Sequence, residues 1–176
     1  DIENLFGSDG TDTLIGDSGD NVLMGRGGDD TLQGGAGVDT LVGGLGTNIL
    51  DGGPGIDTAS YVDATGGVTV DLSNPGSQNT GGGGTDTLTN IENLTGSIFD
   101  DVLTGNESRN ILIGLAGDDA LFGAGGDDLL DVARPAEFFG LVERGRGTPV
   151  PRDALVRAEE VVVHRVVRVG VVEFLG

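Results

Sequence analysis

Residues Gly7 to Ser60 read GSDGTDTLI, GDSGDNVLM, GRGGDDTLQ, GGAGVDTLV, GGLGTNILD and GGPGIDTAS, six nine-residue units that lie one under another without an insertion. The first and fourth residues of every unit are Gly, the sixth is Asp or Asn, and the eighth is Leu until Ala59 in the last. A period this strict is an architecture rather than a bias of composition. It describes stacked copies of one small unit that cannot bury its apolar face alone.

The array gives way after Ser60 to YVDATGGVTVDLSNPGSQNT, residues 61–80, in which Val68, Val70 and Leu72 alternate with polar neighbours. That alternation is the mark of a half-buried strand, and Ser73 to Gly76 supplies a turn after it. The period resumes at Gly81 with GGGGTDTLT and, after six further residues, at Gly96 with GSIFDDVLT, GNESRNILI, GLAGDDALF and GAGGDDLLD. Phe99 and Ser108 stand where the fourth-position Gly belongs, so these two turns depart most from the pattern. A longer period also runs through the chain, because IENL occurs at Ile2 and again at Ile91, an offset of 89 residues. At that offset Asp12 falls on Asp101, Asn21 on Asn110, Asp30 on Asp119 and Asp39 on Asp128. Residues 1–42 and 90–131 are thus two copies of one super-unit, and the chain is expected to be part of a longer repetitive protein.

Composition narrows the function. Thirty-five glycines and 4% aromatic residues in 176 do not suit a conventional apolar core, so something else must hold the fold together. Residues 1–131 carry 23 acids and two arginines, Arg26 and Arg109, whereas residues 132–176 carry seven arginines and six acids. So acidic a repeat region opposes binding of nucleic acid and favours cations. The absence of Cys excludes disulfides and thiolate metal sites. No run reaches the roughly 18–20 apolar residues of a membrane-spanning helix.

The repeat chemistry points to one class of cation. Glycines let the backbone turn through left-handed conformations and keep side chains away from the carbonyls, so each turn becomes a ring of oxygens. Ca²⁺ takes about six to eight such oxygens, carboxylate and carbonyl, and tolerates irregular geometry. The short segment around position eight is a strand too brief to stand alone. Its Leu points inward, so that Leu14, Leu23, Leu32, Leu41 and Leu50, then Leu103, Leu112, Leu121 and Leu130, stack into a thin ladder.

The nonapeptide closely resembles the RTX (repeats-in-toxin) hemolysin-type calcium-binding repeat, a known pattern rather than one deduced from physics alone. The resemblance implies an all-β, right-handed parallel β-roll (a β-solenoid) in two stacked arrays with an inserted strand and loop segment. It implies half a coil per repeat, with metal between repeat i and repeat i+2. The pairs are then Asp12 with Asp30, Asp30 with Asn48, Asn21 with Asp39, Asp39 with Asp57, Asp101 with Asp119, and Asn110 with Asp128. Asp86 adds a bridging position. Asn keeps a carbonyl oxygen without the charge, so pairs containing Asn21, Asn48 or Asn110 are expected to be weaker. Asp9, Asp29, Asp118 and Asp127 lie near the turns and are read as tuning the field.

The expected organisation is a first array over 1–60, an insert over 61–80, a second array over 81–131 and a non-repeat tail over 132–176. In that tail, residues 153–160 favour helix and 161–172 favour strand. Two readings of the tail stay open: a C-terminal export signal, as RTX-like proteins carry for type I secretion, or the product of a shifted reading frame. Neither HExxH nor GxSxG occurs, and GDSGD at Gly16 to Asp20 lies in repeat phase with the sole His in the tail, so no catalytic motif is present in the chain. The expected function is a calcium-binding module of a secreted or cell-surface bacterial protein, exported by type I secretion and folded by Ca²⁺ outside the cell. The alternatives are a structural or adhesive repeat region of a large surface protein, or the C-terminal module of a secreted protease or lipase.

Overall fold

The computed structural model describes residues 3–132, which form fifteen short strands and no helix. The tail expectations over 153–160 and 161–172 lie outside the described residues. The strands are β1 (Asn4–Phe6), β2 (Thr13–Ile15), β3 (Val22–Met24), β4 (Thr31–Gln33), β5 (Thr40–Val42), β6 (Thr47–Asp51), β7 (Thr58–Ser60), β8 (Thr69–Asp71), β9 (Gln78–Gly81), β10 (Gly84–Thr89), β11 (Asn93–Thr95), β12 (Val102–Thr104), β13 (Ile111–Leu115), β14 (Ala120–Phe122) and β15 (Leu129–Val132).

Successive repeats feed opposite sides of a parallel β-roll. One side is a seven-stranded sheet in the order β1-β3-β5-β7-β11-β13-β15, and the other is β2-β4-β6-β10-β9 followed by β14-β12-β8. Pairing is parallel with repeat i on repeat i+2, as in Leu14 on Leu32 and Leu23 on Leu41. A three-residue strand makes too few bonds to stand alone, so each is stable only between neighbours. The expected Leu ladder fills the interior: Leu23, Leu32, Leu41, Leu50, Leu103 and Leu112 are fully buried, and Leu88 and Leu94 join them. Leu130 departs from expectation. It pairs in register with Leu112 yet is 43% exposed, because β15 is the last strand of its sheet among the described residues and is stacked there on one side.

The expected inserted strand is β8, with Val68 and Val70 buried and Leu72 packed against the core. It pairs parallel with β12, while β9 runs antiparallel to β10. The unit resuming at Gly81 stacks on β6, with Asp86 beside Asn48. On the other side β7 pairs directly with β11, so the seven-stranded sheet runs unbroken through both super-units. Strands β1 to β5 recur as β11 to β15 at the 89-residue offset.

Glycine serves two different needs in the turns. In part of the turns the second and fourth positions are left-handed, as at Gly35 (φ 106°) and Gly37 (φ 133°). First-position glycines other than Gly81 are not left-handed; a Cβ on Gly34 would lie 2.5 Å from Asp39 Oδ2 and 2.6 Å from the Gly52 carbonyl oxygen. Here the requirement is space rather than dihedral freedom.

Candidate metal centre

The candidate residues from Asp12 to Asp57 and from Asp101 to Asp128 each stand just before a strand at the end of a turn, except Asn48, which lies inside β6. All six expected pairs are brought together by one contact: the backbone N–H of the earlier residue donates to the side chain eighteen positions on. The distances are 2.8 Å for Asp12 to Asp30, 2.8 Å for Asn21 to Asp39, 3.1 Å for Asp30 to Asn48 and 2.8 Å for Asp39 to Asp57. In the second super-unit they are 3.0 Å for Asp101 to Asp119 and 2.9 Å for Asn110 to Asp128. Asn21, Asp30, Asp39, Asn48, Asp57, Asp101 and Asn110 are buried, and Asp12, Asp119 and Asp128 half-buried.

The turns fall into two kinds, which the sequence separates at position two. Ser8, Asp17, Ser97 and Asn106 use their backbone N–H to hold the side chain of Asp12, Asn21, Asp101 and Asn110 four residues on. Their own side chains then accept from the fourth-position N–H, at Gly10, Gly19, Phe99 and Ser108. Such Asx- and Ser-type closures need no left-handed residue, which explains why Phe99 and Ser108 are accommodated. In the remaining turns except the one at Gly81, position two is left-handed even where it is not glycine: Arg26 (φ 81°), Leu115 (φ 68°) and Ala124 (φ 66°).

These open turns leave carboxylate oxygens without donors. Asp30, Asp39, Asp57 and Asp119 each bury an Oδ2 that has no hydrogen-bond partner. A buried carboxylate oxygen in that state is costly unless a cation meets it. Burial, with neighbouring acids adding to it, pushes Asp30, Asp57, Asp119 and Asp128 above the usual carboxylate range. Asp12 moves the other way, held down by hydrogen bonds from the Ser8 N–H and hydroxyl. Beside each orphaned oxygen the first-position glycine leaves a cradle that a Cβ would fill, and a backbone carbonyl bounds it in three cases: Gly43 O for the Asp30 turn, Gly52 O for the Asp39 turn and Asn90 O for the Asp57 turn. Among the described residues no three carboxylate or imidazole groups converge on one point. One or two carboxylates, with an Asn amide oxygen in the mixed pairs and carbonyls beside them, are a hard, all-oxygen donor set of the type Ca²⁺ takes. The residues present fit the ion.

Asp86 is placed differently. Fully buried between the arrays, it accepts from Asn48 Nδ2 at 2.9 Å and from the Thr80 hydroxyl at 3.4 Å, with the buried Tyr61 hydroxyl beside it. Burial raises it to about 6 against these donors. Sequence reasoning also missed two features. Asp20, Asp29 and Asp100, at position five, accept from the N–H eighteen residues on, at Val38, Thr47 and Asp118, a ladder running opposite to the first. Asp29 thus has a structural contact beyond any effect on the field. The other feature is Glu92, whose Oε2 accepts from the Asp57 N–H at 2.8 Å. Glu92 lies eighteen residues before Asn110, the same step as every other pair, and that spacing was the available signal.

Paired parallel strands, glycine turns and inward carboxylates one coil apart define a metal-binding parallel β-roll. The model of the RTX calcium-binding nonapeptide repeat matches residues 1–32, 24–59 and 95–130. These matches cover more than half of the chain, which belongs to that family: it is a calcium-binding repeat module of the kind typical of secreted bacterial proteins. The family is structural rather than catalytic. No curated protein matches the chain. Among the described residues no helix is long and apolar enough to cross a membrane.

Proposed function

We propose that the chain is an extracellular segment whose folding is switched on by Ca²⁺, disordered in a low-calcium cytosol and folded after type I secretion into millimolar calcium. The observation that carries this reading is the set of four buried, donorless oxygens on Asp30, Asp39, Asp57 and Asp119. The ligands are assigned to Asp12, Asn21, Asp30, Asp39, Asn48 and Asp57 in the first super-unit and its extension, and to Asp101, Asn110, Asp119 and Asp128 in the second. Calcium would supply the positive charge these turns lack. The chain's own part is to hold two side chains one coil apart, aim carbonyls between them and keep Cβ atoms out of the cradle.

Energetics support a requirement for metal. The interior is little more than one Leu per repeat, and the turns gather like charges. With calcium at ten times each dissociation constant, one site adds about 1.4 kcal/mol, and six add roughly 8 kcal/mol. That is comparable to the whole stability of an ordinary domain. Extracellular modules commonly bind Ca²⁺ at about 10⁻⁴–10⁻³ M, the range an export switch needs. Isothermal titration of the full chain tests the reading: calcium should bind at several sites with a large heat of coupled folding, and magnesium at equal concentration should not reproduce it. Absence of calcium binding at millimolar concentration refutes it.

A further inference from the structure

Residues 60–94 fall outside the matched repeats, yet the carboxylate ladder of the seven-stranded sheet crosses them without a missing rung. Strand β7 pairs with β11 through Thr58 and Asn93, so Glu92 stands beside Asp57 although 35 residues separate them. The contact copies the repeat pairs. Asp57 N–H donates to Glu92 Oε2 at 2.8 Å, as Asp39 N–H donates to Asp57 Oδ1 at 2.8 Å.

The rest of the cradle is present too. Asp57 is fully buried, and its Oδ2 has no hydrogen-bond partner. A Cβ on Gly52 would lie 2.6 Å from that oxygen and against the Asn90 carbonyl oxygen. In the repeats this second neighbour is the carbonyl of the first-position glycine two repeats on, such as Gly52 O beside Gly34. Asn90 delivers its carbonyl from outside the repeat by adopting a left-handed conformation (φ 51°), fixed by its Nδ2 donating to Asp51 Oδ1 at 2.8 Å. Left-handed backbone is tolerated by Asn more readily than by other non-glycine residues.

We propose that Asp57, Glu92 and the Asn90 carbonyl form an additional calcium site that clamps the end of the first array to the second super-unit across the insert. The site rests on the calcium reading above, but none of its second-coil ligands belongs to a nonapeptide. Its occupation ties the end of the first array to the start of the second, so the insert becomes a loop closed by metal at its base. Arg109 borders the same surface hollow as Glu92, and a Glu92–Arg109 ion pair is the competing arrangement.

Equilibrium dialysis of the full chain in millimolar calcium provides the test. Glu92→Gln should bind one calcium fewer than wild type, with the remaining sites half-saturated within twofold of their original concentration, and the exposed Asp9→Asn should keep the full count. An unchanged count in Glu92→Gln overturns the site. A wild type that binds no calcium overturns the general reading instead, which separates the two failures. Should Glu92→Gln fail to fold, wild-type crystals grown in calcium decide: an anomalous peak between Asp57 and Glu92 supports the site. Peaks at the repeat pairs with Glu92 turned to Arg109 overturn it.

Discussion

Replacing Asp39 by Asn separates the metal role of this side chain from its hydrogen bond. Asp39 is shared by two pairs, with Asn21 before it and Asp57 after it. The amide oxygen of Asn can still accept from the Asn21 N–H, now at 2.8 Å, and the volume is unchanged. The variant loses the charge and the donorless Oδ2. Two calcium sites at tenfold saturation contribute about 3 kcal/mol together, so urea unfolding followed by far-ultraviolet circular dichroism should show a loss of that order in calcium. In chelator the sign reverses. A buried, charged carboxylate oxygen without a donor is exchanged for a neutral amide, which favours the variant by roughly 1 kcal/mol. Because the metal-free chain is expected to be disordered, this arm is read as the trimethylamine N-oxide needed to fold it, which should be no greater for Asp39→Asn than for wild type. Equal destabilisation with and without calcium would assign Asp39 to packing instead of metal binding.

Acid should partly replace the metal. Asp86 is raised to about 6 in the folded state from an unfolded value of 3.8, so between these values the fold holds a proton that the disordered chain does not. Its contribution is present below the unfolded value and lost as pH rises through the folded one, about 3 kcal/mol in all; Asp30, Asp57, Asp119 and Asp128 act in the same sense. In chelator, ordered structure should therefore increase from pH 7 to pH 4.5, and a steady loss over that interval contradicts the assignment. Ala124 is exposed and left-handed (φ 66°), so Ala124→Gly removes backbone strain without removing packing. A gain of about 0.5–1 kcal/mol is expected in calcium, since strain of roughly 1–2 kcal/mol outweighs the added freedom of the unfolded chain; thermal unfolding that shows a loss argues against the strain.

The fold was legible because one nine-residue phase fixes strand, turn and inward Leu together, and local and global preferences agree. The six pairs followed from the implied half-coil per repeat and recur as contacts eighteen residues apart. What escaped the pattern escaped for physical reasons. Glu92 reaches Asp57 through a coil lengthened by the insert, so counting forward by nine from Asp57 never arrives at it, although counting back from Asn110 does. The closure of the turns at Phe99 and Ser108 was hidden because it depends on position two, where Ser97 and Asn106 do what a left-handed glycine does elsewhere. Leu130 carries the ladder's sequence but lacks a second neighbour in the described coils, and sequence period alone does not report how many neighbours a rung has.

The central claim, that calcium in the acidic turns holds this roll together, is tested most directly by far-ultraviolet circular dichroism of the full chain in chelator and in millimolar calcium. A largely disordered spectrum is expected in chelator, with a cooperative rise of β-structure on adding calcium. Identical spectra in the two conditions would contradict it.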